Sequence, residues 1–254
     1  MVMKQILFII FIVLGVVSNS EASTRSDVKI IEASENIRYL SQKIAKEYLY
    51  LYYNPKKINL KDKLKRSMRE LKENIQTIAI NTQNDESKNI LNFLTYTNEE
   101  IQLLLNEKAS DDKSILVLDY SETFVEAANS IQDLHQYEFS NEERMLMSLK
   151  ELEYLLERVT KYYMASIMNL NKMSNAKHMQ SAILKIEVIL TIMRNYPYPK
   201  KVKKEQKQIV KYWKTNKNFL NISTNISVPN LLLISTKNLK NTIQRLELYH
   251  KQNQ

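Results

Sequence analysis

Apolar residues recur along this chain with the period of an α-helix. Ile30, Ile37, Ile44 and Leu51 stand seven apart, and Ala33, Leu40 and Tyr48 fill the same stripe. Such a stripe marks a helix that turns one face to a core. The pattern predicts a helix opening at Ser26-Asp27 and running to Tyr53, where Asn54-Pro55 stops it, because the residue before a proline disfavours the helical conformation. A second helix is predicted over Leu60 to Ile80, with Leu64, Met68, Leu71, Ile75 and Ile78 inward. A third fits Lys88 to Asn106, and a fourth Ser114 to Tyr137.

The pattern then restarts. Ser140-Asn141-Glu142-Glu143 reads as a capping box, and a shift of 115 positions aligns the first two helices without a gap. Tyr39-Leu40 meets Tyr154-Leu155, Lys46 meets Lys161, Tyr48 meets Tyr163, and Asn54 meets Asn169. Core positions correspond as well: Ile30 with Met145, Ile37 with Leu152, Ile44 with Val159, Met68 with Ile183, Ile75 with Leu190. Near the ends, Ile131-Gln132 matches Ile243-Gln244 at a shift of 112, so a small deletion falls between. A tandem duplication follows, each copy with enough helices for one up-down bundle. The expected architecture is all-α, with two antiparallel four-helix bundles in tandem. The expected divisions are a leader at residues 1–22, copy one at 23–137 and copy two at 138–254.

Composition strengthens the helical reading. The only glycine among 254 residues is Gly15, and there are four prolines. Sheets use glycine at bulges and tight hairpins, and nucleotide loops use it for close backbone approach. A dinucleotide-binding fold, a phosphate-loop enzyme and a β-sandwich are therefore nearly excluded. With no cysteine there is no disulfide, thiolate chemistry or Cys-ligated zinc. His135, His178 and His250 are the only histidines, and none lies four residues from another, so no helical metal site is expected. No glycine elbow surrounds a serine. Glu99-Glu100 and Glu142-Glu143 read as exposed helix pairs. The expectation is a non-enzyme without cofactor or metal.

Residues 1–22 read as a secretory leader: Lys4, an apolar run from Ile6 to Val17, then the small-x-small site Ser20-Glu21-Ala22. The run is short for a membrane span of about 20 residues. Cleavage would leave Ser23 first; the alternative is an uncleaved anchor. The richness in Lys, Asn and Ile suggests an AT-rich bacterial genome, hence the periplasm. The net charge is +9, and loss of Lys4 and Glu21 leaves the balance unchanged. Lys200, Lys201, Lys203, Lys204, Lys207, Lys211, Lys214 and Lys217 surround Trp213. They are read as a solvated helix face, with no nucleic-acid partner expected of an exported protein. Tyr48, Tyr50, Tyr52 and Tyr53 are expected at a core edge with their hydroxyls in solvent.

The run Arg38-Tyr39-Leu40-Ser41-Gln42-Lys43-Ile44-Ala45-Lys46-Glu47-Tyr48-Leu49 resembles the Arg-Met-Leu-Ser-Gln-Arg-Met-Ala-Lys-x-Tyr-Leu signature of the PilJ-like N-terminal domain. That family forms the periplasmic part of type IV pilus methyl-accepting chemotaxis transducers and is related to the nitrate/nitrite-sensing domain of NarX-like histidine kinases. The resemblance implies an antiparallel four-helix bundle, a sensory role and a homodimer. It also implies a site for a small anion such as nitrate or nitrite at Arg38, Ser41, Gln42 and Lys43. Arg38 holds the family's anion-contacting position, and Lys43 replaces a second arginine. A guanidinium offers a planar fork of donors to a small oxyanion, whereas an ammonium offers a point charge.

Ser34-Glu35-Asn36-Ile37 stands where the family carries Ala-Gly-Arg-Gln. Copy two reads Glu153-Tyr154-Leu155-Leu156-Glu157-Arg158-Val159-Thr160-Lys161, so Glu153 replaces the motif arginine. A second register places Arg144-Met145-Leu146 on the motif's opening. Arg38 paired with Glu35 or Glu32 is the purely structural alternative. The functional expectation is an exported ligand-binding module that signals through a partner, a membrane receptor or a pilus component, because no second apolar span or signalling domain follows. The alternative is a structural or protein-interaction bundle. Mass spectrometry of the exported protein is expected to find Ser23 at the N-terminus; a full-length, membrane-retained chain would instead establish an anchor.

Overall fold

The structure is a computed structural model. It describes residues 2–56, 58–220 and 228–253, with side chains from residue 25 onward other than those of residues 58 and 172. The expected leader lies outside the residues whose side chains are described, and most of the polar connection from Asn221 to Pro229 lies outside the described residues altogether. All regular structure among the described residues is helical: α1 (Val2–Tyr53), α2 (Ile58–Asn81), α3 (Asp85–Asn106), α4 (Asp111–Asp133), α5 (Asn141–Ile167), α6 (Lys172–Asn195), α7 (Lys203–Phe219) and α8 (Pro229–Lys251). Among the described residues, no helix is long and apolar enough to cross a membrane.

Helix α1 packs on α2 and α4, with α3 touching α2 and α4. Helix α5 packs on α6 and α8, with α7 packed on α8 and lightly on α6. The α1–α5 contact joins the two sets. The apolar stripes of α1 and α5 are both buried. Ile30, Ile37, Leu40, Ile44 and Tyr48 are buried on α1, and Met145, Leu152, Leu155, Val159 and Tyr163 on α5, each pair 115 positions apart. On α2 and α6, Met68 and Ile183, Leu71 and Ile186, and Ile75 and Leu190 are likewise buried in pairs. Burying one such aliphatic side chain contributes about 1.5–3 kcal/mol.

Helix ends follow local capping chemistry. Ser140 Oγ accepts from the Glu143 amide at 3.2 Å, and Glu143 accepts from the Ser140 amide at 2.7 Å, completing the predicted capping box. Helix α3 starts three residues before its predicted position because the Asn84 side chain accepts from the Ser87 amide at 2.9 Å. Helix α4 starts early because Ser110 caps it, and it ends at Asp133 rather than Tyr137. The start predicted at Ser26-Asp27 does not occur: α1 runs straight through, and Asp27 meets His135 Nδ1 at 2.7 Å. His135 Nε2 lies 3.1 Å from Ser87 Oγ, so one imidazole ties together α1, α3 and the residues after α4.

A chain almost without glycine must turn by other means. Between α5 and α6, Asn169 and Asn171 adopt φ of 58° and 45°. Asparagine tolerates this left-handed region because its short polar side chain can bond locally. The tyrosine run departs from expectation. Tyr50 is 1% exposed and its hydroxyl donates to the Pro229 carbonyl at 2.8 Å, so it anchors α8 rather than reaching solvent. On α7, Gln206, Ile209, Trp213 and Asn216 face inward while Lys203, Lys204, Lys207, Lys211, Lys214 and Lys217 are exposed. Glu187 accepts from Trp213 Nε1 at 2.8 Å and pairs with Lys217 at 2.9 Å.

Candidate functional site

The polar chemistry concentrates where α1, α5, α4 and α8 converge. Helix α1 places Glu35, Arg38, Gln42 and Lys46 along one stripe, and α5 places Lys150, Glu153, Glu157 and Lys161 at the positions 115 further on. A spacing of three or four keeps each set on one helical face. Three of the four positions carry different chemistry in the two helices, so residues of one stripe can pair with carboxylates of the other.

Glu157 is fully buried. Its Oε1 lies 2.5 Å from Lys240 Nζ on α8, and its Oε2 accepts from Lys46 Nζ on α1. Lys240 also donates to the Tyr39 hydroxyl and stands 4.5 Å from the centre of that ring. Burial opposes ionisation of Glu157, but Lys240 and Lys46 outweigh it and hold the carboxyl down at about 2. One carboxylate therefore joins α1, α5 and α8.

Arg38 lies beside this triad. Its Nη1 pairs with Glu35 and its Nη2 with Glu151 of α5, both at 2.7 Å, and its guanidinium lies 4.4 Å from the centre of the Tyr154 ring. Burial disfavours its charge, yet Glu35 and Glu151 raise its pKa. Both terminal nitrogens of the expected anion ligand are thus engaged by carboxylates of the chain itself. Ser41 Oγ donates to the Arg38 carbonyl at 2.8 Å. Gln42 Nε2 donates to the Ser121 carbonyl at 3.0 Å, and its Oε1 is buried without a partner among the described residues. Lys43 faces elsewhere, 3.7 Å from Glu70 on α2 and 5.8 Å from the Tyr39 ring centre.

Two further clusters complete the seam. Lys161, fully buried, reaches Ser121 Oγ at 2.9 Å and Glu122 at 2.5 Å on α4, while Arg158 pairs with the other oxygen of Glu122 at 2.6 Å. Burial pushes Lys161 down to about 8 against the pull of Glu122. Burial would raise Glu122, but Lys161 and Arg158 outweigh it and hold it at about 2. Between α5 and α8, Glu153 and Glu247 are both buried, each with one oxygen unpartnered among the described residues. Burial, then the Glu247 charge, pushes Glu153 up to about 7, with Lys240 opposing.

A cavity of about 500 Å³ opens over the triad between α1, α2, α5 and α8. Lys43, Lys46, Lys63, Arg66, Lys237 and Lys240 line it, against the carboxylates Glu47, Glu70 and Glu157. Lys63, Arg66 and Lys237 have no ion-pair partner among the described residues. The volume is that of an ordinary small-molecule pocket, and the charge balance favours an anion. Of the four expected site residues, the structure places only Lys43 on this lining; Arg38 pairs across the α1–α5 seam, Gln42 bonds to α4, and Ser41 bonds back to the Arg38 carbonyl. Sequence reasoning missed Glu157, Lys240 and Glu122. A charged residue four positions from Glu153 and from Lys161 inside an apolar stripe was the available signal for Glu157; Lys240 had none, being 83 residues from its partner. No family model, curated protein or solved structure matches the chain.

Removing Glu157 strands two buried ammonium groups. Glu157→Gln is expected to cost about 3–5 kcal/mol, read from the urea midpoint, whereas replacing Lys46, Glu157 and Lys240 together by Met should cost far less. A Glu157→Gln protein as stable as the parent would show that the triad does not hold the helices. The Glu153–Glu247 pair acts in the opposite pH sense from Glu157. An unfolded glutamate titrates near pH ~4.3, so the folded protein holds the Glu153 proton more tightly. Between that value and about 7 the native state binds more protons, and stability falls as pH rises. The fall should total about 3 kcal/mol by pH ~8, and Glu153→Gln should flatten it. Matching melting profiles for the two proteins across that range would show that Glu153 ionises in the native state without cost.

Proposed function

We propose that this chain is an exported, non-catalytic ligand-binding module, a tandem of two four-helix bundles of the PilJ-like kind, which takes a small anion and passes binding on to a partner. The observation that carries the reading is the basic cavity over the Glu157 triad, with three cations that lack an ion-pair partner among the described residues. The anion enters at the Lys43 end, against Lys63, Arg66 and Lys237, rather than at Arg38. The cavity is walled by both halves of the chain, so occupation would bear on their junction. That is a physical route from binding to a signal, the receiver being a membrane receptor or pilus component. The twofold alignment of buried positions supports the duplication, and the periplasm follows from the leader at residues 1–22.

The engagement of Arg38 by Glu35 and Glu151 favours a second reading, a bundle that only presents surfaces to another protein. A thermal-shift titration of the purified protein with nitrate, nitrite, phosphate and small dicarboxylates separates the two. A bound anion at a hundredfold excess over its dissociation constant should add about 2.7 kcal/mol of stability. The double variant Lys63→Glu/Lys237→Glu should abolish the response while Arg38→Ala preserves it. Loss of the response in Arg38→Ala alone would move the anion to the seam, and no response to any anion would put the interaction module ahead.

A further inference from the structure

A second, larger opening of about 880 Å³ lies on the other side of α1, between α1, α2 and the segment joining α3 to α4. Its character differs from that of the basic cavity. The floor is apolar, built from Tyr48 and Leu51 of α1, Leu64 and Met68 of α2, and Leu105 and Ala109 beyond them. Leu51, Leu105 and Ala109 remain half-exposed there. One rim is a row of cations: Lys61, Lys65, Arg69 and Lys72, spaced four, four and three along the exposed face of α2. None of the four has an ion-pair partner among the described residues, and the one carboxylate on the lining, Glu107, is engaged by Lys113 at 2.5 Å. Tyr48 is 3% exposed, and among the described residues its hydroxyl closes no hydrogen bond of ordinary geometry, the Ser110 backbone being the polar group that bears on it.

An apolar trough of this size beside a one-signed rim matches a ligand with an apolar body and an anionic end. Long cationic side chains lay their methylenes over such a floor and carry the charge at its edge. A small inorganic anion would leave the floor wet, and a neutral hydrocarbon would leave the rim unmatched. We propose that this groove binds a single-chain alkyl carboxylate, a free fatty acid, with the chain on Leu51, Leu64, Met68 and Leu105 and the carboxylate at Lys65 and Arg69. The site is separate from the anion cavity and does not depend on it.

Calorimetric titration of the purified protein with acetate, octanoate, decanoate and dodecanoate, each below its micelle concentration, tests this. Each added pair of methylenes should strengthen binding roughly tenfold, and any acetate signal should be lost in Lys63→Glu/Lys237→Glu, whose mutated residues line the other cavity. The double variant Lys65→Glu/Arg69→Glu, at exposed positions and checked for parental helicity and melting, should weaken dodecanoate at least tenfold. Lys63→Glu/Lys237→Glu in the other cavity should leave dodecanoate affinity unchanged. The proposal is overturned if dodecanoate does not bind, if affinity is independent of chain length, or if the α2 charge reversal has no effect. Binding to phosphatidylglycerol vesicles without binding to free dodecanoate would overturn it too, in favour of a membrane surface.

Discussion

A single buried carboxylate sets the relation between the two halves of this protein. Glu157 has no exposure, and its two oxygens are held by ammonium groups from α1 and α8. Desolvating a charge this completely is costly unless it is paired on every side. The pairing therefore specifies geometry more than it adds stability. A slip of one residue between α1 and α5 would carry Lys46 away from Glu157 and Arg38 away from Glu151 together. Apolar stripes alone tolerate several registers, because leucine, isoleucine and valine pack against one another in many ways. The ion pairs exclude the alternatives, since each wrong register leaves a charge without a partner in a dry interface.

The same stripe appears twice and is used in two ways. Arg38 corresponds to Glu153, Gln42 to Glu157, Lys43 to Arg158, and Lys46 to Lys161. At these positions Glu157 meets Lys46 of α1, while Glu153 faces Glu247 of α8. The aromatic positions are shared by the two helices. Tyr39 carries Lys43 and Lys240 near its face, and Tyr154 carries Arg38 and Arg158. A cation over a ring is favourable on both helices, so these tyrosines serve either charge arrangement.

The two openings follow from how α2 is shared. Its apolar stripe packs on α1, and its exposed residues divide between the two sides. Lys63 and Arg66 look toward α8 and the polar triad, while Lys61, Lys65, Arg69 and Lys72 look toward α3 over an apolar floor. One basic helix therefore lines two pockets of unlike chemistry, one over buried charges and one over buried hydrocarbon.

The all-helical fold was legible in the sequence. Heptad spacing from Ile30 to Leu51, the Ser140–Glu143 capping box and the near absence of glycine all act within a few residues, where spacing alone determines the outcome. The correspondence of buried positions 115 apart was legible for the same reason. The motif residues were legible as a set but not as a site. Whether Arg38 meets a ligand or a carboxylate depends on what lies across the seam, and Glu151 is 113 residues away. The same holds for Lys240 on Glu157 and for Tyr50 on Pro229. In each case the sequence carries the functional group, while its partner is chosen by the packing of helices far apart in the chain. Burial then decides its charge state, by removing the water that would otherwise screen every pairing equally.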